Sequence, residues 1–404
     1  MRALLSAVGT RGDVQPIVAL ALRVRGFGHD VRLCVPPNFV EWVRGFGFEG
    51  VPVGVEMRLS GPASGAAATL TAEQIRRMRE SMPDLITNQF EAIGAAADGC
   101  DVILGANAHQ YAARSIAELR GIPYVTALYA PVAVPSCHHA PPPAPGSAWI
   151  PGGEPATNAQ HWDDNARAWN DRALDRVNQN RSRLGLGPID DVLRFNITDR
   201  PWLATDAILG PAPAAPGIEI FQTGAWILED ATSLPDDVEA FLTSGEPPIY
   251  LGFGSMPAPA GMSRILVDAA KAVGHRAILS RGWADLNVID DASDCLVIGD
   301  VNQRALFPRV AAVVHHGGAG TTATAARAGV PQVVAPLFGD QFYWASRVRA
   351  LEIGTWALGP LTTETLATAL RDALLPLATT RAASIAQQFT GDGATVAARR
   401  LLAM

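Results

Sequence analysis

The segment that most constrains this chain spans residues 310–328. It opens with the apolar run Val-Ala-Ala-Val-Val, which is typical of a buried strand. Residues 321–328 predict a helix, and between the two lie a pair of histidines and the glycines Gly317, Gly318 and Gly320. A strand, a glycine turn and a helix N-terminus together favour phosphate, because free N–H groups and the helix dipole both attract an anion. The side chains of His316 and Thr321 stand where they can add hydrogen bonds.

The residues of this segment alone allow two interpretations. An ordinary strand-to-helix turn uses glycines for packing, whereas an anion site uses them to bring the backbone close to a ligand. The surrounding order favours the second, since His-His-Gly-Gly-Ala-Gly-Thr-Thr is followed by Gly-Val-Pro-Gln, a short apolar strand and Gly-Asp-Gln at 339–341. This order resembles the nucleotide-sugar-binding signature of the GT-B glycosyltransferases, a family that includes the glycopeptide-antibiotic, macrolide and sterol glycosyltransferases.

The resemblance implies roles for single residues of the signature. Asp340 and Gln341 fall on the pair that hydrogen-bonds the sugar hydroxyls, which suits a carboxylate that accepts and an amide that both donates and accepts. A solvated turn before the next helix is the alternative for this pair. Such a pair fits a donor with free hydroxyls such as glucose, without excluding a deoxysugar. The residues implied to bind the diphosphate are His316, Gly318, Gly320 and Thr321.

Length and composition limit the classes of protein that this chain can belong to. Its 404 residues suggest two or three domains, and 48% hydrophobic against 18% charged residues predict a large core. A net charge of −7 argues against nucleic acid or an anionic membrane as the main partner. The four cysteines are scattered without a C-x-x-C pair, which predicts reduced thiols in a cytoplasmic protein. No apolar run approaches the roughly 18 residues of a membrane span.

Short apolar strands alternate with helices along most of the sequence. This alternation predicts an α/β protein with parallel sheets covered by helices on both faces. The resemblance implies two Rossmann-like domains that face each other across a cleft, the GT-B fold. In such sheets ligands bind beyond the carboxyl ends of the strands. Strands are predicted at residues 3–8, 29–35, 51–53, 101–106, 122–128, 248–253, 276–280, 310–314 and 333–336.

The loop after the first strand, Gly-Thr-Arg-Gly-Asp, ends at Asp13. Taken alone, Asp13 is either a general base in an acceptor cleft or the N-cap of a helix that starts at Val14. Residues 9–16 resemble the N-terminal loop of bacterial antibiotic and sterol glycosyltransferases, where the matching aspartate is taken to deprotonate the acceptor hydroxyl. The resemblance therefore implies that Asp13 is the base, with Thr10 and Arg11 beside it at the acceptor. Plant relatives use a histidine near this loop, which this chain lacks.

Two further regions of the first half are candidates for acceptor binding. His109 follows the strand at 101–106 and either lines the cleft or is a plain polar loop residue. The segment 131–153 is rich in Pro and Gly, and a long irregular loop is usually functional or disordered, so we interpret it as an acceptor lid that carries His138. A metal site at His138 and His139 is disfavoured, because no third ligand lies at useful spacing.

A run with three prolines and two glycines at 210–217 rules out a helix or a central strand there. We therefore predict that the two domains meet at this run. The predicted division is an acceptor domain at 1–209, a linker at 210–217, a nucleotide-sugar domain at 218–385 and a C-terminal helix at 386–404. The family resemblance implies that this last helix crosses back to the first domain.

Several predicted donor contacts lie before the glycine-rich segment. Ser255 follows a strand and a glycine, so its hydroxyl can donate to a phosphate oxygen. The loop with Arg281 and Trp283 falls near the nucleoside in the family, and Trp283 either stacks on the base or fills the core. Val301 and Gln303 belong to the segment that frames the base edge. Many plant members place a stacking Trp where this chain has Asp300, which leaves the stacking partner and the choice of uracil or thymine open.

The resemblance implies an inverting hexosyltransferase, and the absence of metal-ligand patterns in the sequence predicts that it needs no metal. The donor is a UDP- or TDP-sugar, which is a substrate, so no cofactor is expected. The acceptor loops are apolar and poor in charge, which suits a bulky hydrophobic alcohol such as a sterol or an antibiotic or polyketide aglycone. A sugar-nucleotide epimerase of the same fold and a non-catalytic nucleotide-sugar-binding partner are the alternatives. We expect a monomer without a nucleic-acid partner or stable membrane insertion.

Overall fold

The computed structural model describes residues 1–56, 72–143, 154–256, 261–283, 286–287, 294–389 and 391–404, with the backbone alone for 72–83 and 155. Residues 144–153, the last part of the predicted lid at 131–153, lie outside the described residues. No helix of the described parts is long and apolar enough to cross a membrane.

Two sheets organise the described residues, and every neighbouring pair of strands is parallel. The first sheet contains β1 (Arg2–Ala7), β2 (Asp30–Val35), β3 (Glu49–Pro52), β4 (Val102–Ala106), β5 (Tyr124–Leu128), β6 (Trp202–Leu203) and β7 (Phe221–Gln222). The second contains β8 (Ile249–Gly252), β9 (Ala277–Ser280), β10 (Cys295–Ile298), β11 (Ala312–His315), β12 (Gln332–Val334) and β13 (Gly354–Trp356). This confirms the predicted α/β class.

Strand order places one topological switch point in each sheet. The first sheet runs β3-β2-β1-β4-β5-β6-β7 and the second runs β10-β9-β8-β11-β12-β13. Strand order therefore reverses between β1 and β4 in one sheet and between β8 and β11 in the other. Because ligands of doubly wound sheets bind outside the carboxyl ends of the strands at such points, two sites are expected, one per sheet.

Helices cover both faces of each sheet. The helices of the first half are α1 (Arg11–Gly26), α2 (Val40–Gly45), α3 (Ala72–Ala96), α4 (Ala113–Arg120), α5 (Pro155–Arg183) and α6 (Val192–Ile197). The later helices are α7 (Asp236–Thr243), α8 (Met262–Ala272), α9 (Gln303–Leu306), α10 (Ala319–Ala328), α11 (Gln341–Ala350), α12 (Thr363–Ala373), α13 (Pro376–Ala386) and α14 (Gly393–Leu402). Single 3₁₀ turns occur at Pro37–Phe39, Pro131–Ala133 and Phe307–Arg309.

Burial on both faces explains why the strands are apolar without interruption. In β1, Ala3, Leu5 and Ala7 pack into the layer that contains α1, whereas Leu4 packs into the layer on the opposite face. All four side chains are fully buried. Successive side chains of a strand point to opposite faces, so a strand covered twice needs apolar residues at every position.

The domain boundary differs from the predicted one. The strand Phe221–Gln222 pairs with Trp202–Leu203, so it extends the first sheet beyond the proline-rich run. The predicted assignment of this strand to the second domain is wrong, because the proline-rich run connects two neighbouring strands of the same sheet. The chain instead crosses to the second sheet between β7 and α7. The other predicted domain limits stay predictions.

Two strands of the second sheet were not predicted. Cys295–Ile298 pairs with β9, and Gly354–Trp356 pairs with β12, so both lie at sheet edges. The second of these has three residues, too few for a periodic pattern to show. At the C-terminus, α14 packs on α1, and its buried Ala394, Ala397 and Leu401 join the core of the first sheet.

Candidate functional site

Asp13 lies directly beyond the carboxyl end of β1, in the first turn of α1. The helix begins at Arg11 with Thr10 as its N-cap, so Asp13 is not the N-cap of a helix that starts at Val14. Asp13 instead closes a capping box, in which the Thr10 backbone N–H donates to Asp13 Oδ2 over 2.8 Å. A capping role and a place at the cleft therefore coexist, because the capping bond occupies only one carboxylate oxygen.

A residue that the sequence did not single out contacts the other oxygen of Asp13. Asn107 directly follows β4, and its side-chain amide donates a short hydrogen bond to Asp13 Oδ1. The Tyr129 hydroxyl also donates to the Asp13 backbone carbonyl over 3.2 Å. The available signal was the position of Asn107, a polar residue immediately after a predicted strand. The sequence predicts His109, two residues further on, as the candidate from this loop.

Two carboxyl groups near the cleft have raised pKa values, Asp13 in the first unit and Asp340 in the second. Burial raises the pKa of Asp13, and hydrogen bonds from Asn107 and Thr10 oppose that rise. Burial also raises the pKa of Asp340 to about 6, the N–H of Trp344 opposes it, and the nearby Asp13 carboxylate adds to it. Asp13 and Asp340 are thus within electrostatic reach of each other, although they lie in units built on different sheets.

The glycine-rich segment forms the predicted turn between β11 and a helix. The helix α10 starts at Ala319, and its N-cap Gly318 offers no side-chain hydrogen bond to the first turn. The first N–H groups of any helix lack intrahelical acceptors, and α10 has no acidic residue in its first turn. A Cβ added to Gly320 would meet nothing within 4 Å, so the space before the helix is open. These features suit an anion at the N-terminus of α10.

The two adjacent histidines differ in their surroundings. His315 is fully buried, its Nδ1 accepts from the Gly317 N–H over 3.0 Å, and its Nε2 lies 2.9 Å from Gln332 Oε1. Burial lowers the pKa of His315 to about 4, so the ring is neutral and Nε2 carries the proton. His315 therefore shapes the turn, a role that the sequence did not predict.

His316 lies between two glycines, one from each strand end at the second switch point. A Cβ on Gly318 would come within 2.6 Å of His316 Nε2, and one on Gly254 within 3.3 Å of Cε1. The His316 Nδ1 atom is buried without a hydrogen-bond partner among the described residues. Burial lowers the pKa of His316 to about 3, so the ring is neutral. The glycines are thus needed to admit an imidazole at this point, beside the N-terminus of α10.

The predicted sugar-binding pair separates into two environments. Asp340 is partly exposed, and its Oδ2 accepts from Trp344 Nε1 over 2.9 Å, which leaves Oδ1 for a hydroxyl donor. Gln341 is buried, and its amide oxygen accepts from the Leu337 N–H over 2.7 Å. Its amide nitrogen contacts Met256 Sδ at 3.3 Å. Contact between Gln341 and a sugar remains a prediction. A sugar hydroxyl would have to compete with Leu337 and Met256 for the Gln341 amide.

The predicted nucleoside residues line the end of the second sheet next to the first unit. Ser255 is partly exposed, and the Arg281 side chain is exposed. Trp283 stacks on Phe39 of the first unit, with ring centroids 6.2 Å apart and planes at 29°. This contact favours a packing role for Trp283 on one of its faces. The side chain of Gln303 donates to the Tyr250 hydroxyl over 3.2 Å, whereas Val301 packs in the apolar core beside it.

The predicted acceptor residues are spread over the first unit. Arg11 points across the cleft, where its guanidinium lies 2.6 Å from the Asp300 carboxylate. His109 is exposed and contacts the ring of Trp169, with centroids 5.1 Å apart. His138 is also exposed. The structure therefore brings Thr10 and Arg11 next to Asp13, while contact of His109 and His138 with an acceptor remains a prediction.

Comparison with known proteins places the whole chain in one family. Residues 3–138 match the family model described as the glycosyltransferase family 28 N-terminal domain, and residues 265–396 match the erythromycin biosynthesis protein CIII-like C-terminal domain. The chain is 45% identical to vancomycin aglycone glucosyltransferase of Amycolatopsis orientalis, over all of this chain and 97% of that protein. This chain is a GT-B glycosyltransferase.

Other relatives of this GT-B glycosyltransferase agree with that assignment. It is 39% identical to dTDP-epi-vancosaminyltransferase of the same organism, over 95% of this chain and 93% of the relative. Its fold matches the solved glycosyltransferase of kitacinnamycin with a TM-score of 0.73 at 20% identity, over 100% of this chain and 98% of that one. It also matches the glycosyltransferase VinC solved with dTDP, with a TM-score of 0.68 at 20% identity, over 100% and 99%.

Proposed function

We propose that this glycosyltransferase transfers a hexose from a nucleoside diphosphate sugar to a hydroxyl of a hydrophobic aglycone, with inversion at the anomeric carbon and Asp13 as the base. One observation carries the proposal. At the switch point of the first sheet, the Arg11 guanidinium beside Asp13 lies 2.6 Å from the Asp300 carboxylate of the second unit, and the Asp13 carboxylate adds to the raised pKa of Asp340, the N-cap of α11. The acceptor and donor sites expected at the two switch points therefore meet at these residues.

The reaction is an in-line displacement at the anomeric carbon. Asp13 takes the proton of the acceptor hydroxyl as its oxygen forms the new bond to the sugar. The bond between that carbon and the diphosphate breaks, and the diphosphate leaves with the electron pair. The N–H groups at the start of α10 and the Thr321 hydroxyl then meet the charge that grows on the leaving oxygen. Donors that are fixed in advance at developing charge are often a large part of catalysis.

His316 fits the same site as a neutral ligand of the diphosphate. Its pKa of about 3 means that it carries no charge near neutral pH, so it contributes a hydrogen bond in place of an ion pair. Asp340 recognises the sugar in this scheme. Its Oδ2 accepts from Trp344, and its Oδ1 remains available to accept from a sugar hydroxyl. Gln341 keeps the 337–341 loop in shape through its bond to Leu337.

An antibiotic-type aglycone is the acceptor class that the relatives favour over a sterol. The relative of 45% identity is named for vancomycin aglycone, and the one of 39% identity for a dTDP-sugar. We therefore place a glycopeptide or similar aromatic aglycone first as the acceptor, with UDP-glucose and TDP-glucose as donors to be compared directly.

A turnover assay with mass spectrometry tests this proposal. The protein is offered UDP-glucose or TDP-glucose with glycopeptide aglycones, macrolides, flavonoids and sterols. We expect a hexose to be added to an aglycone of the antibiotic type. Donor breakdown without an acceptor would instead support the epimerase alternative, and transfer to sterols alone would contradict the acceptor class.

The Asp13→Asn variant tests the base on the pair found in that assay. Asparagine keeps the size of the side chain and can still accept the Thr10 N–H, so the helix cap survives. We expect kcat to fall by about 10²–10⁴-fold, the usual contribution of a general base, with donor affinity unchanged by calorimetry. Wild-type turnover by Asp13→Asn would refute the assignment of Asp13.

A further inference from the structure

Asn107 occupies an unusual backbone position at the switch point of the first sheet. Its φ is +62°, in the left-handed region that favours glycine, and its N–H donates to the Ala127 carbonyl over 2.7 Å. Asparagine tolerates this conformation better than most residues, but it still costs free energy that a glycine there would not. A glycine would relieve that cost, so the side chain of Asn107 has a use that outweighs it.

The Asn107 side chain connects two distant parts of the chain, the ends of β4 and β1. Its amide does not cap the local turn but donates to Asp13 Oδ1, 94 positions away in sequence. The Thr10 N–H donates to the second carboxylate oxygen over 2.8 Å. Donors from the ends of β1 and β4 thus hold the two oxygens separately. Two fixed donors set the plane of a carboxylate, which one donor cannot do.

Close contacts hold Asp13 on the side of Gly9 and at its own backbone carbonyl. A Cβ on Gly9 would come within 2.1 Å of Asp13 Oδ2, so the chain passes close beneath the carboxylate. The Tyr129 hydroxyl holds the backbone of Asp13 from the end of β5. The carboxylate is therefore packed against the backbone at Gly9 on one side. Its remaining lone pairs are available for the proton of the acceptor hydroxyl.

We propose that Asn107 is the positioning residue of the catalytic base, an inference that rests on the proposed role of Asp13. Asn107 holds Oδ1 so that the carboxylate meets the acceptor hydroxyl in one orientation. A base that is oriented by a further group recurs in enzymes that activate a hydroxyl. Here a neutral amide orients a carboxylate, and its donated N–H also favours the ionised form of the base.

Because the Asn107 amide favours the ionised form of Asp13, loss of this amide should change the pH dependence of the reaction rate. The base acts when it is ionised, so the rate falls as pH falls through the pKa of Asp13. Burial raises that pKa and the Asn107 amide opposes the rise. The titratable groups that face Asp13 from neighbouring elements are Asp340 at the start of α11 and Tyr129 after β5. Both remain in place when Asn107 is replaced.

Asn107→Gly is the informative variant, because glycine adopts a φ of +62° and loses only the amide. We expect kcat to fall by about 10–100-fold, a part of what a general base contributes, and the acidic limb of kcat/KM to move to higher pH. Asn107→Asp also tolerates the backbone but places a second carboxyl against Oδ1. It should move the acidic limb further than Asn107→Gly does, because two adjacent carboxylates resist ionising together.

Glu352→Gly is the matched control. Glu352 is exposed at the end of the helix α11 and also has a left-handed backbone, with a φ of +59°. Its replacement should leave the pH profile and kcat unchanged. Thermal melting shows that each variant folds, and calorimetry with the donor shows that the second sheet is intact.

The outcomes separate this inference from the proposed function. If Asp13→Asn is inactive while Asn107→Gly keeps the wild-type kcat and acidic limb, Asn107 is not a positioning residue and the function stands. If Asp13→Asn keeps wild-type turnover, the base assignment and this inference fail together. A lower kcat for Asn107→Gly without a shift of the acidic limb also overturns the inference, since a purely structural contact would give that result.

Discussion

The adjacent residues His315 and His316 show how one residue type serves two purposes at neighbouring positions. His315 ends β11 with both ring nitrogens bonded inside the protein, to Gly317 and Gln332. His316 comes one residue later and lies beside the N-terminus of α10, where its Nδ1 has no partner among the described residues. Side chains of a strand alternate in direction, so adjacent positions at the end of β11 reach the core and the cleft.

The His315→Gln variant tests the role of His315 in stability. We expect the free energy of unfolding at pH 7.5 to fall by about 1–3 kcal/mol, because the Gly317 N–H loses its buried acceptor. The variant should also depend less on pH. The folded pKa of about 4 lies below the ordinary 6.5, so the wild-type protein loses stability as pH falls from 6.5 toward 4. One such group contributes up to ~1.4 kcal/mol per pH unit.

Urea melts at several pH values between 7.5 and 4.5 measure this effect. His161→Gln, on the partly exposed face of α5, is the control and should keep the wild-type free energy of unfolding at pH 7.5. An unchanged slope in His315→Gln would mean that the acid sensitivity arises elsewhere, for example at His316, whose pKa is also lowered.

At the scale of single elements, the N-terminus of α10 begins without a side-chain cap. Gly318 supplies no side-chain cap, and Thr322 and Thr324 turn their hydroxyls back to carbonyls of the preceding turn. The turn itself is fixed from behind, since a Cβ at Gly317 would come within 2.8 Å of Val334 and its φ is +93°. Close packing and the positive φ at Gly317 therefore constrain the turn, and no side chain caps the first N–H groups of the helix.

Gly320→Ala separates the stability of this helix from its use. The added Cβ meets no atom within 4 Å, and alanine favours helix over glycine by up to about 1 kcal/mol. We expect the variant to be as stable as the wild type or more so in urea melts. Its affinity for UDP or TDP should fall, because the methyl group takes space next to the N–H groups.

Calorimetric titration with each nucleotide provides the measurement. Ala323→Gly, further along the same helix and buried, is the converse control, which should lose stability while keeping nucleotide affinity. Unchanged nucleotide affinity in Gly320→Ala would place the diphosphate away from this part of the turn.

At the scale of the whole molecule, several contacts join the two units around the cleft. Arg11 pairs with Asp300, and Phe39 stacks on Trp283. The Gly339 N–H donates to the Pro143 carbonyl over 3.1 Å, next to Asp340. The Arg11–Asp300 pair is exposed, and such pairs contribute at most about 1 kcal/mol. The aromatic stack is therefore the contact with the larger expected effect.

A double-mutant cycle on Phe39 and Trp283 tests whether Trp283 packs between the units or stacks on the base. If the two rings serve mainly to join the units, Phe39→Leu and Trp283→Leu should destabilise the protein non-additively, with a coupling of about 0.5–1.5 kcal/mol. Both variants should then change nucleotide affinity to a similar extent.

A different result is expected if Trp283 binds the nucleotide. If Trp283 stacks on the base, Trp283→Leu alone should weaken UDP or TDP binding by about 1–3 kcal/mol, the usual worth of a base on an aromatic ring. Chemical denaturation and calorimetry on the four proteins of the cycle distinguish the two roles.

The sequence by itself determined the class of fold and the chemistry of the two loops that matter most. Apolar strands alternating with helices predict doubly wound sheets, and the residues 9–13 and 315–322 carry local signals that need no distant partner. Strand ends, glycine turns and helix starts are set by neighbours in sequence, which is why α10 began within two residues of its predicted start. The family resemblance supplied the expected roles of Asp13 and Asp340.

Only the tertiary structure decided which residues meet. Asn107 reaches Asp13, Gln341 contacts Met256 and Trp283 meets Phe39, because strand order and packing bring together positions far apart in the chain. The same cause misplaced the domain boundary, since Phe221–Gln222 is recognisable as part of the first sheet only through its pairing with β6. Periodicity records which face of an element is buried, but it does not record the partner that buries it.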